Sequence, residues 1–93
     1  MFKIPRVNVI ESDEGFRVEI LGRTGLLYTE GIKSLLIDSE VLAGPSGLVI
    51  YKKSIRNWRP PYDKESIDDS KRDTMIENIR HAFRFRGFEI SVM

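Results

Sequence analysis

The chain contains no cysteine, and this absence excludes two kinds of structure. A disulfide framework and a thiolate metal site both need cysteine, so a fold held together by either is not possible. A chain without cysteine suits a reducing compartment, and we therefore expect a cytoplasmic protein. Pro5, Arg6 and Asn8 interrupt the apolar run that an N-terminal signal peptide would need. No stretch approaches the length of apolar sequence that spans a membrane.

Residues for catalysis are scarce as well. His81 is the single histidine, and it lies near the end of a predicted helix, where we interpret it as a helix-terminus cation or an interface residue. Ser54, Ser66 and Ser70 lack the glycine pattern of a nucleophile elbow. The segment Gly22–Gly25 opens no helix and therefore predicts a turn, not a phosphate-binding loop. We predict a protein that is not an enzyme, with no catalytic residue, no cofactor and no small-molecule substrate.

The composition that is present fits one globular domain over residues 1–93. Hydrophobic residues make up 41% of the chain and charged residues 31%, and a chain of this length buries roughly 60 to 65% of the surface that its unfolded form exposes. One sheet and one long helix would use nearly all of these apolar side chains. The net charge is only +1, so composition gives no support to a dedicated nucleic-acid binder.

The first half of the chain has the pattern of β-strands. Apolar and polar residues roughly alternate, as they do in strands with one buried face. Gly15, Gly22, Gly25 and Gly31 stand between the alternating segments and predict tight connections, as does the sequence Gly44–Gly47. The predicted strands are Lys3–Ile10, Phe16–Leu21, Leu26–Glu30, Ile32–Val41 and Leu48–Lys52.

The second half predicts one long amphipathic helix from about Asp68 to Arg86. Ser66 and Asp69 have the spacing of a capping box at its start, and Gly87 follows its end as a helix C-cap would. The fold class is therefore α+β, with a mostly antiparallel sheet of about five or six strands, this helix, and a final strand over Phe88–Val92. The stripe predicted to face the sheet consists of Met75, Ile76, Ile79, Ala82 and Phe83.

Five carboxylates precede or open the helix, and they could in principle hold a hard cation. Their spacing matches no calcium loop, and negative charge at a helix start has a sufficient explanation in capping and the helix dipole. We therefore predict no metal site from these residues, which are Asp63, Glu65, Asp68, Asp69 and Asp73.

Segment 51–62 mixes cations with aromatic rings, which is the combination that grips phosphates and stacks on bases. It supports an alternative function, a small nucleic-acid-binding domain using Lys52, Lys53, Arg56 and Trp58. Against this, Lys52 and Lys53 would point to opposite faces of a strand. Rigid aromatic anchors are also typical of protein interfaces. We expect one ring of Trp58 and Tyr62 to be buried and the other exposed.

Four pieces of the second half together resemble immunity family seventy-four, a family of small bacterial immunity proteins from polymorphic toxin systems. The pieces are Leu48–Tyr51, Ser54–Pro61, Ser66–Asp69 and Gly87–Ile90. The resemblance implies a non-enzymatic protein that protects a bacterium by binding a cognate toxin domain, as in contact-dependent growth inhibition. It brings no catalytic residues and no map of contacts.

The chemistry of the loop before the helix supplies candidate contacts for such a partner. The resemblance implies toxins of which many cut nucleic acids and carry basic clefts, and opposite charge speeds association with such surfaces. The expected partner is the toxin protein, with no membrane and no nucleic acid involved. The predicted partner-binding residues are Trp58, Tyr62, Asp63, Glu65 and Asp68.

Overall fold

The computed structural model describes residues 1–41 and 47–93, so most of the turn predicted at Gly44–Gly47 lies outside the described residues. Within these ranges the chain forms one α-helix, α1 (Asp69–Phe85), and a seven-stranded sheet whose strands are ordered as in the chain. The strands are β1 (Phe2–Arg6), β2 (Val9–Ser12), β3 (Phe16–Ile20), β4 (Gly25–Glu30), β5 (Lys33–Val41), β6 (Leu48–Ile50) and β7 (Ile90–Val92).

The predicted α+β class and the mostly antiparallel sheet are confirmed, although the described residues form seven strands instead of five or six. The additional strand arises because the predicted strand Lys3–Ile10 is divided by a turn at Val7 and Asn8 into β1 and β2. Asparagine favours turns, and the side-chain amide of Asn8 donates to the carbonyl of Ile20 on β3. Asn8 therefore belongs to a turn, although the alternating pattern placed it within a strand.

One face of the sheet forms the core. A row of paired residues crosses four neighbouring strands at Ile10, Val18, Tyr28 and Leu35, and all four are almost completely buried. Because side chains alternate along a strand, every second residue of β2 to β5 joins this face. The five predicted stripe residues of α1 are buried in the same cluster, which confirms the face assigned to the helix.

The start of α1 corrects the predicted capping box. Asp68, not Ser66, is the N-cap residue, and its Oδ1 accepts a hydrogen bond of 2.7 Å from the backbone N–H of Lys71. Ser66 instead pairs with Asn57 in an isolated antiparallel bridge. Aspartate and serine are both good N-caps, so the choice between them is made by the backbone that leads into the helix.

No helix among the described residues is long and apolar enough to cross a membrane.

The end of α1 follows the prediction. The N–H of Gly87 donates to the carbonyl of Arg84 and that of Phe88 to the carbonyl of Phe83, which together form a Schellman motif. Gly87 has a φ of +87°, a value that glycine adopts without strain. The chain then returns as β7, parallel to β6, because a strand reached through a crossover helix runs in the same direction as the strand before it.

A polar cluster links α1 to the sheet. The Tyr28 hydroxyl donates to Glu30 at 2.8 Å and accepts from the amide of Asn78 at 3.0 Å, while the Lys71 ammonium pairs with Glu30. Burial is the main cause that raises the pKa of Tyr28 above its ordinary value. Burial would also raise the pKa of Glu30, but hydrogen bonds from Lys71 and Tyr28 lower it overall. Glu30 is therefore held as an anion between strand and helix.

Candidate functional site

The segment between β6 and α1 covers the part of β5 that β6 leaves unpaired. The backbone N–H of Arg59 donates to the carbonyl of Ser34 at 2.7 Å, and the Ser54 hydroxyl accepts from the N–H of Asp38 at 2.9 Å. The bridge between Asn57 and Ser66 closes a loop, called here the 57–66 loop. Within it the N–H of Tyr62 donates to the carbonyl of Arg59 and that of Glu65 to Tyr62, each at 3.0 Å.

Buried side chains anchor this loop on both sides of its bridge. Ile55, Trp58 and Ile67 all belong to the core cluster, and Trp58 has only 5% of its surface exposed. Tyr62 is half-buried and packs against the same cluster. Of Trp58 and Tyr62, the two rings expected to differ in exposure, Trp58 is therefore the buried one, and Tyr62 presents part of its surface to solvent. These buried side chains fix the position of the loop on the core.

Lys33 on β5 connects the rings of the loop to one of its carboxylates. Its ammonium lies 5.9 Å from the ring centre of Trp58 and 5.7 Å from that of Tyr62, and it donates to Glu65 at 2.6 Å. Cation–π attraction and the ion pair both favour this position. Sequence reasoning missed Lys33, because it lies 32 residues before Glu65 and no local pattern joins the two.

The predicted acidic residues have different surroundings. Asp63, Glu65 and Asp68 are all exposed. Glu65 is paired with Lys33, and Oδ1 of Asp68 caps the helix. Asp63 forms no ion pair with any residue that the structure describes. The 57–66 loop brings Tyr62, Asp63 and Glu65 together at its tip, and Asp68 follows at the helix start.

The acidic residues form no metal site within residues 1–41 and 47–93, where no group of three or more potential ligands could hold an ion. Asp69 instead pairs with Arg72 at 2.6 Å, and Asp73 lies 3.6 Å from the ammonium of Lys52. His81 is exposed, and its Nε2 is 4.0 Å from Glu77 one turn earlier. These charges have local partners on the helix or next to it.

Four cations surround a surface depression between the segment after β6 and the first turn of α1. We name it the basic depression, and its residues are Lys52, Lys53, Arg56 and Arg72. The expectation that Lys52 and Lys53 face opposite sides is wrong, because β6 ends at Ile50 and Lys52–Ser54 is a 3₁₀ turn. Ser54, whose hydroxyl donates to the carbonyl of Tyr51, is the sequence signal for that turn.

Backbone carbonyls orient the two arginines of the basic depression. The Nε of Arg56 donates to the carbonyl of Lys53 at 2.8 Å, and the Nε of Arg72 donates to the carbonyl of Ile55 at 3.0 Å. Arg72 therefore fastens the helix to the segment that carries the other three cations. Sequence spacing could not reveal this, because Arg72 is 17 residues from Ile55.

Comparison with known proteins identifies the family of the chain. No curated protein and no solved structure matches it. A family model described as Immunity protein 74 matches residues 17–93, so the match begins well before the second half that carries the resemblance and includes the strands from β3 onward. The resemblance to immunity family seventy-four is confirmed over most of the sequence. The chain belongs to the Immunity protein 74 family.

Proposed function

We propose that this immunity protein binds and neutralises a cognate bacterial toxin domain through a protein–protein interface centred on the 57–66 loop. Family membership supports the general role, and the loop is the observation that carries the proposal. Its ends are joined by the Asn57–Ser66 bridge and its base is buried, yet its tip displays an aromatic ring and carboxylates. A loop already ordered loses little conformational entropy on binding.

The five predicted contacts divide into two roles under this proposal. Tyr62, Asp63, Glu65 and Asp68 present surface that a partner can reach, while Trp58 supports the loop from within the core. A partly exposed aromatic ring supplies contact area, and the carboxylates of Asp63 and Glu65, which flank the exposed Lys64, can attract cations of the partner. We therefore expect cations of the partner opposite these two carboxylates.

The wider role follows from the same proposal. The protein would act in the cytoplasm as the antidote of a polymorphic toxin system, such as one for contact-dependent growth inhibition, and would carry out no catalysis itself. Binding would require no cofactor, small molecule or membrane. The absence of cysteine supports a reducing compartment.

We expect the gene immediately upstream to encode the toxin domain, and co-expression of the two proteins tests the function. We expect the wild-type protein to restore growth and to bind the toxin domain in solution. The double variant D63K/E65K should slow association by about tenfold or more at low salt, because reversed charge repels a basic cleft. Stopped-flow mixing of the purified proteins measures this rate.

The control for charge is E14K/E89K, which changes the net charge by the same amount. Each pair contains one carboxylate that is ion-paired, namely Glu65 with Lys33 and Glu89 with Arg84. D68N removes the charge of Asp68 while asparagine still caps the helix. Equal association rates and equal protection in D63K/E65K and E14K/E89K would exclude the loop tip as the interface.

The basic depression favours a second candidate function, nucleic-acid binding, because it brings Lys52 and Lys53 to one surface with Arg56. Burial of Trp58 counts against this candidate, since a covered ring cannot stack on bases. A nucleic-acid binder should lose affinity for short oligonucleotides steeply between about 50 and 200 mM salt. Absence of binding at the lower salt concentration would remove this alternative.

A further inference from the structure

The basic depression contains more positive charge than its neighbours neutralise. Arg72 pairs with Asp69, and Lys52 lies near Asp73. In the described parts of the chain, neither Lys53 nor Arg56 forms an ion pair, and both are exposed. Four cations around one depression with two carboxylates beside them leave an excess of positive charge directed outward.

The geometry of the two arginines suits recognition of carboxylates. Backbone carbonyls accept from the Nε atoms of Arg56 and Arg72, and the described residues provide no acceptor for the terminal nitrogens of Arg56. A guanidinium held in place through Nε can present its terminal N–H groups to an oxygen pair without first being ordered. Lys53 contributes a mobile ammonium beside it.

We propose that the basic depression binds an acidic segment of the toxin partner, with carboxylate side chains facing Lys53 and Arg56. The identity of this partner rests on the proposed function, and the chemistry of the segment rests on the charges of the depression. The immunity protein would then meet its partner at two places. The carboxylates of Asp63 and Glu65 would face cations of the partner, and the basic depression would face its acidic segment.

Protein carboxylates fit this depression better than a nucleic-acid strand does. A strand needs a track of cations with aromatic rings along it, whereas these four cations surround one depression and Trp58 is buried. Asp69 and Asp73 also stand beside the cations, where they would repel the next phosphates of a strand. A segment with only a few carboxylates can instead face Lys53 and Arg56, which have no carboxylate partner among the described residues.

Two labelled probes test the depression without the toxin. Fluorescence anisotropy would follow binding of a hexaglutamate peptide and of a short single-stranded oligonucleotide, at about 50 and 200 mM salt. The variant K53E/R56E reverses the two unpaired cations, and K3E/R23E makes the same change of net charge on β1 and in the β3–β4 turn. K53R/R56K keeps both charges, and circular dichroism checks that all variants fold.

We expect the wild type, K3E/R23E and K53R/R56K to bind the peptide, and K53E/R56E to lose at least about tenfold in affinity, as close charge pairs do. Equal affinity of K53E/R56E and K3E/R23E for the peptide would overturn the proposal, as would failure of the wild type to bind it at the lower salt. Tighter binding of the oligonucleotide than of the peptide would also overturn it, in favour of phosphate recognition.

A parallel titration with the toxin domain expected from the proposed function separates this inference from that function. If the wild type binds the peptide through Lys53 and Arg56 but not the toxin domain, the proposed function fails and the acidic ligand stands. If the wild type binds the toxin domain and K53E/R56E binds it equally well, the function stands and the inference fails. A loss of at least about tenfold in both assays supports both.

Discussion

Helix α1 and the 57–66 loop both depend on the same core, but their buried residues follow different rules. The helix buries five side chains at spacings of three and four, so a single period accounts for all of them. The loop is anchored by Ile55, Trp58 and Ile67, whose spacing follows no period. Irregular segments can therefore be as firmly placed as helices when individual large side chains are buried.

The largest expected effect tests whether the loop is truly anchored. Trp58→Ala should lower the free energy of unfolding by roughly 3 to 5 kcal/mol, because it removes a large buried ring. Urea denaturation of the purified variants measures this change. Tyr62→Ala is the matched control and should cost clearly less, since Tyr62 is only half-buried. A cost under about 1 kcal/mol for Trp58→Ala would mean that the Trp58 ring does not anchor the loop in the core.

The helix face provides the next effect. Ile79→Ala should cost roughly 2 to 5 kcal/mol in the same urea experiment, because Ile79 is completely buried against the sheet. His81→Ala, on the exposed side of α1, should stay within about 0.5 kcal/mol of the wild type. If the two variants were equally stable, the stripe would have been assigned to the wrong face.

A smaller effect is expected where the loop meets the helix. Asp68→Ala should cost about 1 kcal/mol through loss of the bond to the N–H of Lys71, whereas Asp68→Asn should cost less because asparagine also caps. Thermal unfolding followed by circular dichroism distinguishes the two. Equal losses in both variants would indicate that charge, not capping, determines the contribution of Asp68.

The smallest effect concerns pH and the link between Glu30 and α1. The folded pKa of Glu30 lies below its unfolded value, so its contribution is present above the unfolded pKa of about 4.3 and is lost as pH falls through the folded pKa. Stability of the wild type should therefore decline more than that of Glu30→Gln between neutral and acidic pH. The urea midpoint at each pH gives this difference, and parallel curves would contradict it.

The sequence was most informative where a period repeats. Alternation predicted the strands and the 3.6-residue period predicted α1, because burial of one face requires such patterns. The turn at Val7 and Asn8 was missed since two residues barely interrupt an alternation. Asp68 was missed as the cap because the bridge of Ser66 with Asn57 fixes the backbone from a distance. Long-range pairing of this kind leaves no trace in local spacing.

The candidate surface was predictable only in part. The loop and the two carboxylates at its tip follow from composition and turn residues, and the structure places Tyr62, Asp63 and Glu65 there, with Lys64 between the carboxylates. Lys33 and Arg72 reach the segment from β5 and α1, and tertiary packing alone brings them there. The prediction that Lys52 and Lys53 face opposite sides extended the strand alternation past Ile50. That extension was wrong, because a 3₁₀ turn begins at Lys52.

Under the proposed function, the Asn57–Ser66 bridge has a consequence for how the partner could change. Residues at the tip lie beyond both the bridge and the ring of Trp58, so mutations there would leave the scaffold intact, and under the proposed function they would alter partner choice. Lengthening a flexible loop adds only about 0.6 kcal/mol for each doubling of its length. If the tip binds the toxin as proposed, residues could therefore be inserted or exchanged there to match a different toxin at little cost to folding.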